Sequence, residues 1–172
     1  MPELIKSAIK LEAAGADFII MPCHSAHIWF NELKNAVKIP FYNMIQNTAQ
    51  TILKQKSHKN KTIILLATET TINGQLYQKA FENSPVKIII PSLEEQRALK
   101  NAIKNVKAGR IETNPHIHEL NQFLKNYTDK GISILIGCCT EIPLLFPYLK
   151  VEMEMIDPTL MLAKMAINKA NH

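Results

Sequence analysis

The chain of 172 residues is long enough for one compact domain or two small lobes, and its 47% apolar content supports a hydrophobic core rather than a disordered tail. Its net charge of +5 comes from scattered lysines with few aromatic residues, which argues against a nucleic-acid-binding protein. The longest apolar runs fall far short of the ~20 residues that span a bilayer, and charges interrupt the N-terminus where a secretory leader would be apolar, so we expect a cytoplasmic protein without a membrane segment.

Helical and extended patterns alternate along the chain. The predicted helices are residues 4–11, 26–37, 45–53, 73–83, 92–109, 117–127 and a terminal helix from Asp157. The predicted strands are residues 18–21, 39–43, 62–67, 86–90 and 132–136. Lysine-rich residues 54–61, between a helix and a strand, are expected to form a solvated helix end and loop. Strands that are apolar on both faces and alternate with helices indicate a parallel sheet covered by helices, an α/β fold.

Polar residues follow three of the predicted strands. They lie at residues 23–25, 68–71 and 138–141. In parallel sheets the ligand site lies beyond the carboxyl ends of the strands. The sequence therefore predicts a functional site built from these three stretches.

Two of the three cysteines lie at such strand ends. An odd number of cysteines, with Cys138 and Cys139 adjacent, predicts free thiols rather than a disulfide framework. Cys23 precedes a helix expected to begin near Ser25, and Cys139 precedes Pro143, a residue suited to a first helical turn. Unpaired N–H groups and the helix dipole would favour thiolate at both positions. The alternative is that each cysteine is a small buried apolar side chain.

The side chains around these cysteines suit a small anionic or zwitterionic ligand. Hydroxyl groups at Ser25, Thr68, Thr71 and Thr140 can donate hydrogen bonds to a carboxylate. Glu141 can hold an ammonium group or cap a helix. Neither a glycine-rich phosphate loop nor a dinucleotide fingerprint is present, so we expect a reaction without a cofactor.

A metal site is the competing interpretation of Cys23, His24 and His27. Cysteine and histidine are the usual zinc ligands, but the first two residues are adjacent and no CxxC or HExxH spacing occurs. We therefore expect no metal. His27 is then either a hydrogen-bond partner near the site or a packed, satisfied histidine.

Four segments of the chain resemble the cofactor-independent aspartate/glutamate racemases. They are GADFIIMPCHSAH (residues 15–27), LLATETTINGQLYQ (65–78), ILIGCCTEIPLLF (134–146) and IDPT (156–159). They are similar, in the family's order, to its Pro-Cys-Asn-Thr-x-His, Ala-Thr-x-Gly-Thr, Gly-Cys-Thr-Glu-x-Pro-Leu and late Asp-Pro motifs. The resemblance therefore covers nearly the whole chain.

The resemblance implies an amino-acid racemase that interconverts L- and D-aspartate or glutamate. Its active site would lie in the cleft between two similar α/β lobes, whose parallel sheets are flanked by helices. The catalytic cysteines of the family fall on Cys23 and Cys139. One would remove the α-proton as thiolate while the other, as thiol, returns a proton from the opposite face, without pyridoxal phosphate.

The resemblance also assigns residues to substrate recognition. Ser25 and Thr140 fall on positions that hold substrate carboxylates, Thr71 falls on the hydroxyl of the middle motif, and Lys107 falls where a lysine pairs with the side-chain carboxylate. The candidate substrate-binding residues are His24, Ser25, Thr71, Lys107, Thr140 and Glu141. Departures from the family are His24 in place of asparagine, Thr70 in place of glycine, and Cys138 in place of the glycine before the catalytic cysteine. The last leaves open which thiol of the adjacent pair faces the site.

The first lobe is expected to be truncated. Family members begin with a strand, a glycine-rich loop and a further strand, whereas this chain begins at the helix that follows them. Residues 1–57 would be the remainder of the first lobe, residues 58–150 the second lobe, and residues 151–172 a segment that returns to the first lobe. The chain would then be a fragment or a shortened homologue.

Other functions stay open at this point. One is an enzyme of the same fold that uses one cysteine as a nucleophile on a small dicarboxylate, as in relatives of maleate isomerase. Another is an inactive homologue that only binds a dicarboxylic amino acid or a partner chain. The oligomeric state is also open, a homodimer included.

Overall fold

The computed structural model describes residues 1–58 and 61–171, and within them the α/β fold class is confirmed. The α-helices are α1 (Pro2–Ala13), α2 (Phe30–Asn35), α3 (Met44–Lys54), α4 (Glu69–Asn73), α5 (Leu76–Phe81), α6 (Leu93–Lys107), α7 (Ile117–Asp129) and α8 (Pro158–Ala170). The strands are β1 (Ile19–Ile20), β2 (Phe41–Tyr42), β3 (Thr62–Ala67), β4 (Lys87–Ile89), β5 (Ile134–Cys138) and β6 (Glu154–Ile156).

The strands form two parallel sheets. β1 pairs with β2, and the larger sheet has the order β4-β3-β5-β6. The register of β3 and β5 pairs Ala67 with Cys138. Because parallel strands run side by side about 4.8 Å apart, the residues that follow, Thr68 and Cys139, leave the sheet at neighbouring points of one edge.

The larger sheet is buried on both faces. One face packs against α6 and α7, through Leu99 and Leu124, and the other packs against α3 and α5, through Ile52 and Tyr77. Successive residues of β5 alternate between these two cores, as the pleat of a strand requires. The continuous apolar runs of β3 and β5 therefore reflect burial on both sides.

The smaller sheet has its own core. Ala8, Ile19, Leu33 and Phe41 form it, and a cleft of about 130 Å³ remains between α1 and β1. α8 packs against α3, and its Lys169 ammonium lies 5.6 Å from the ring centre of Tyr42 in β2. The division of the chain at residues 57 and 150 stays a prediction.

Local signals start several helices where the sequence predicts. Ser92 and Glu95 form a reciprocal capping box at the start of α6. The carboxylate of Asp157 accepts hydrogen bonds from the N–H groups of Thr159 and Leu160 at the start of α8. These contacts are local in sequence, which is why they can be predicted.

Other elements differ from the prediction. The helix expected at residues 73–83 is two short helices, α4 and α5, separated where Gln75 adopts a positive φ of 53°. β6 is absent from the predicted strands, because its three residues begin with the charged Glu154 and are too few to show an alternating pattern. α3 ends at Lys54 as expected, but His58 of the lysine-rich run is buried rather than solvated. Lys59 and Asn60 of that run lie outside the described residues. Across the described chain, the helices are too short or too polar to cross a membrane.

Candidate active site

Cys23 lies in the loop that follows β1. Its side chain is exposed, and the chain continues into a 3₁₀ segment, Ser25–Trp29, before α2. The expectation of a regular helix from Ser25 is therefore wrong in its first turn. Cys139 has the same setting, since it follows β5 and precedes a 3₁₀ segment, Pro143–Tyr148, where a helix was expected.

A cluster of hydroxyl groups joins the Cys23 loop to the end of β3. The Ser25 Oγ lies 2.9 Å from the Thr68 Oγ1 and 3.4 Å from the Thr71 Oγ1, and the two threonine oxygens are 3.1 Å apart. Ser25 and Thr71 were both predicted site residues, and the structure brings them together. Because Thr68 and Cys139 follow adjacent strands, the cluster lies at the same edge of the larger sheet as Cys139.

The adjacent cysteines face opposite ways. Cys138 is the last residue of β5 and is fully buried in the core beneath α3 and α5. Cys139 is half-buried at the strand end, and its Sγ donates a hydrogen bond to the Glu141 Oε2 at 2.7 Å. Of the pair, Cys139 is therefore the thiol that lies at the candidate site.

Glu141 gathers three of the predicted site residues. Its Oε2 also accepts a hydrogen bond from the Thr140 Oγ1 at 3.1 Å, and its Oε1 lies 3.8 Å from the Lys107 Nζ. Cys139, Thr140 and Lys107 therefore surround one carboxylate. Since the Lys107 side chain is 60% exposed, this ion pair is weak.

The environment of Cys139 favours the thiol. Burial, followed by the hydrogen bond to Glu141, raises its pKa from 9.0 to about 12. Burial alone would raise the pKa of Glu141, but the hydrogen bond from Cys139 and the charge of Lys107 lower it overall. The expectation that the strand end favours thiolate is therefore wrong for Cys139, because burial and the hydrogen bond to a carboxylate both favour the thiol.

His24 lies beneath the surface of the site. It is 2% exposed, its ring centre is 5.9 Å from that of Tyr77, and neither ring nitrogen has a hydrogen-bond partner among the described residues. Burial, with a smaller contribution from His27, lowers its pKa to about 3. The ring is therefore neutral and packed inward, and its predicted contact with substrate stays a prediction.

His27 is engaged at both ring nitrogens. Nδ1 lies 2.7 Å from the carbonyl oxygen of Cys23, and Nε2 lies 3.1 Å from the backbone nitrogen of Met44. In the described parts of the chain, no three His, Cys, Asp or Glu side chains are grouped to hold a metal ion.

A cavity of about 270 Å³ opens between α6 and the carboxyl end of β3. Lys100, Lys104 and Lys107 line one wall, and Thr68 and Glu69 line the other. Glu69 pairs with Lys100 at 2.9 Å. The sequence analysis proposed only Lys107 from this wall, although the i, i+4, i+7 spacing places all three lysines on one helical face.

These features define an α/β protein with a cysteine after each of two strands and a cluster of hydroxyl groups at the end of a third strand, β3. The chain belongs to the Asp/Glu/Hydantoin racemase family, whose model matches residues 1–166. The resemblance to aspartate/glutamate racemases is thus confirmed.

Relatives and solved structures agree with this assignment. The chain is 28% identical to the broad specificity amino-acid racemase RacX of Bacillus subtilis (strain 168), over 96% of this chain and 70% of the relative. It is 25% identical to the glutamate racemase of Aquifex aeolicus (strain VF5), over 78% of this chain and 50% of the relative. The structure of Picrophilus torridus aspartate racemase superposes with a TM-score of 0.82 and 28% identity, over 99% of this chain and 69% of that one. The chain therefore spans only half to 70% of these proteins.

Proposed function

We propose that this chain is a cofactor-independent racemase of a dicarboxylic amino acid, aspartate or glutamate, and that Cys23 and Cys139 exchange the α-proton. One observation carries the proposal: the Ser25–Thr68–Thr71 cluster holds the loop that bears Cys23 against the end of β3, the strand next to the one that Cys139 follows. Its hydroxyl groups can bind the α-carboxylate between the two thiols and stabilise the charge that develops there when the α-proton leaves.

The reaction requires a defined protonation state of each cysteine. In one direction the Cys23 thiolate takes the α-proton, and the Cys139 thiol gives its proton to the opposite face of the α-carbon. The turnover ends with Cys23 as thiol and Cys139 as thiolate. Burial and the hydrogen bond to Glu141 keep Cys139 protonated before reaction, which is the state that this direction requires. Lys107, beside Glu141, offsets part of the negative charge that turnover leaves at Cys139.

Charge around the cavity favours an acidic substrate. Lys104 and Lys107 line its wall; Lys107 lies 3.8 Å from Glu141, and the third lysine, Lys100, is paired with Glu69. A substrate side-chain carboxylate in this cavity would gain from both ammonium groups. The names of the relatives, which include glutamate and aspartate racemases, agree with an acidic substrate, and that of RacX agrees with a wider range.

The test is hydrogen exchange at the α-carbon in deuterated water. Loss of the α-proton NMR signal of L-aspartate or L-glutamate, with appearance of the D-enantiomer by chiral chromatography, is the expected result for the native chain. Cys23→Ala and Cys139→Ala should each abolish interconversion, because each removes the acid or base on one face. Cys138→Ala is the matched control: its thiol is buried away from the site, so interconversion should persist. Interconversion that survives in both site variants would refute the two-thiol mechanism.

A second candidate is a homologue that binds a dicarboxylic amino acid without turning it over. The observation that favours it is the small size of the first sheet, which among the described residues has two strands of two residues each. Calorimetric binding of aspartate without hydrogen exchange would support it. A covalent adduct at Cys23 with maleate, again without exchange, would instead indicate the single-nucleophile chemistry.

A further inference from the structure

His27 connects two elements of the site region through a buried ring. It is 4% exposed, and it lies four residues after Cys23 in the 3₁₀ segment. One ring nitrogen contacts the Cys23 carbonyl at 2.7 Å, and the other contacts the N–H of Met44, the first residue of α3, at 3.1 Å. The ring also stacks on Phe30, with parallel planes and ring centres 5.8 Å apart.

The partners determine which nitrogen carries the proton. A backbone N–H can only donate, so Nε2 of His27 must accept from Met44 and cannot be protonated. A backbone carbonyl can only accept, so Nδ1 must carry the hydrogen and donate to Cys23. The contacts therefore select the neutral Nδ1–H tautomer. Burial acts in the same direction, since it lowers the pKa of His27 although the bond to Cys23 raises it.

We propose that His27 is a positioning residue for Cys23: its Nδ1–H fixes the cysteine carbonyl, and its Nε2 ties that loop to the start of α3. The Cys23 side chain is exposed. The hydrogen bond from His27 to the Cys23 carbonyl therefore restrains the thiol through the backbone rather than through the side chain. α3 in turn packs on the four-stranded sheet, and Cys139 directly follows β5 of that sheet. His27 therefore links the loop of Cys23, through α3, to the sheet that Cys139 follows.

Two isosteric substitutions separate the two bonds. The amide nitrogen of asparagine occupies the place of Nδ1, so His27→Asn can still donate to the Cys23 carbonyl while it loses the Met44 contact. The amide group of glutamine reaches the place of Nε2, so His27→Gln can still accept from Met44 while it loses the Cys23 contact. Both variants remove one hydrogen bond and the ring stacking, and both should lower the melting temperature similarly.

The kinetic part of the test rests on the proposed function. His27→Gln should lower kcat about fivefold, the factor that corresponds to a net hydrogen bond of ~1 kcal/mol, with KM within about twofold. His27→Asn should lower kcat distinctly less. Equal losses of kcat in the two variants, in step with equal losses of melting temperature, would overturn the proposal, because packing alone would explain them.

Two further measurements do not require racemase activity. Long-range ¹H–¹⁵N NMR of the native chain at pH 7 should show His27, assigned by the signal lost in His27→Asn, as the neutral Nδ1–H tautomer; an Nε2–H or cationic ring would overturn the proposal. Iodoacetamide should alkylate Cys23, located by peptide mass spectrometry, at least about twofold faster in His27→Gln than in His27→Asn, because its loop is released. Equal alkylation rates would also overturn it. If the native chain lacks exchange but passes both tests, only the proposed function fails.

Discussion

Replacing Glu141 with glutamine should make the Cys139 thiol more acidic. The pKa of Cys139 rises from 9.0 to about 12, and at about 1.4 kcal/mol for each pH unit this corresponds to roughly 4 kcal/mol in favour of the thiol. Burial is the larger cause and is unchanged by the substitution, so only the contribution of the neighbouring carboxylate is lost. In the Glu141→Gln variant we expect the pKa of the Cys139 thiol to fall by about one and to stay above 9.

The expected change in thiol reactivity follows from that fall. A pKa lower by one gives about tenfold more thiolate at pH 8, but each thiolate is about threefold less nucleophilic, since the Brønsted coefficient is near 0.45. We therefore expect Cys139 to react with a disulfide reagent about threefold faster in the Glu141→Gln variant than in the chain that keeps Glu141. The assay is the rate of mixed-disulfide formation at Cys139 in a Cys23→Ser background, with the site identified by mass spectrometry.

Glu152→Gln is the matched control for this prediction. Glu152 is exposed and precedes β6 at the opposite end of the sheet, so its substitution removes the same charge far from Cys139. The Cys139 rate should be unchanged in that variant. If Glu141→Gln reacts no faster than the background, or if Glu152→Gln accelerates the reaction equally, the hydrogen bond between Cys139 and Glu141 does not control the thiol.

Three other predictions address stability and substrate binding. Gly137→Ala should destabilise the fold by about 1–3 kcal/mol in urea unfolding, because the new Cβ would lie 2.9 Å from the Phe146 ring; an unchanged midpoint would show that the ring moves freely. Asp157→Ala should cost about 1 kcal/mol in the same measurement, because two N–H groups at the start of α8 lose their acceptor. Lys104→Gln should raise KM for aspartate or glutamate several-fold with little change in kcat, whereas an unchanged KM would place the substrate carboxylate elsewhere.

The parts of the fold that the sequence predicts are those set by local chemistry. Ser92 and Glu95 lie within one turn of each other, so their capping box can be recognised without knowing the fold. The apolar runs that became β3 and β5 were equally clear, since burial on both faces leaves no polar position. β6 was missed because it is three residues long and begins with the charged Glu154, whose partner, the buried ring of His58, lies 96 positions away in the chain. Such a pairing exists only once the chain has folded.

The same distinction applies to the candidate site. The predicted strands and the polar residues after them indicated that Cys23 and Cys139 lie at strand ends, where parallel sheets place their ligand sites. The protonation of Cys139 could not be predicted, since it depends on how deeply the folded chain buries the thiol and on the loop that turns Glu141 back to within 2.7 Å of it. His27 was left between two interpretations for the same reason. Its partner Met44 belongs to a different element, so the tautomer follows only from the folded contacts.

The parity of β5 decides which of two adjacent thiols can take part in chemistry. Cys138 shares a face with Ile134 and Ile136, in the core beneath α3, while Cys139 follows Leu135 towards the opposite face. A shift of one residue in the pairing of β5 with β3 would exchange the two thiols, but it would also move every apolar side chain of β5 to the wrong core. The register is therefore strongly fixed. For that reason Cys138, although it is one residue away, should not rescue Cys139→Ala in the exchange experiment.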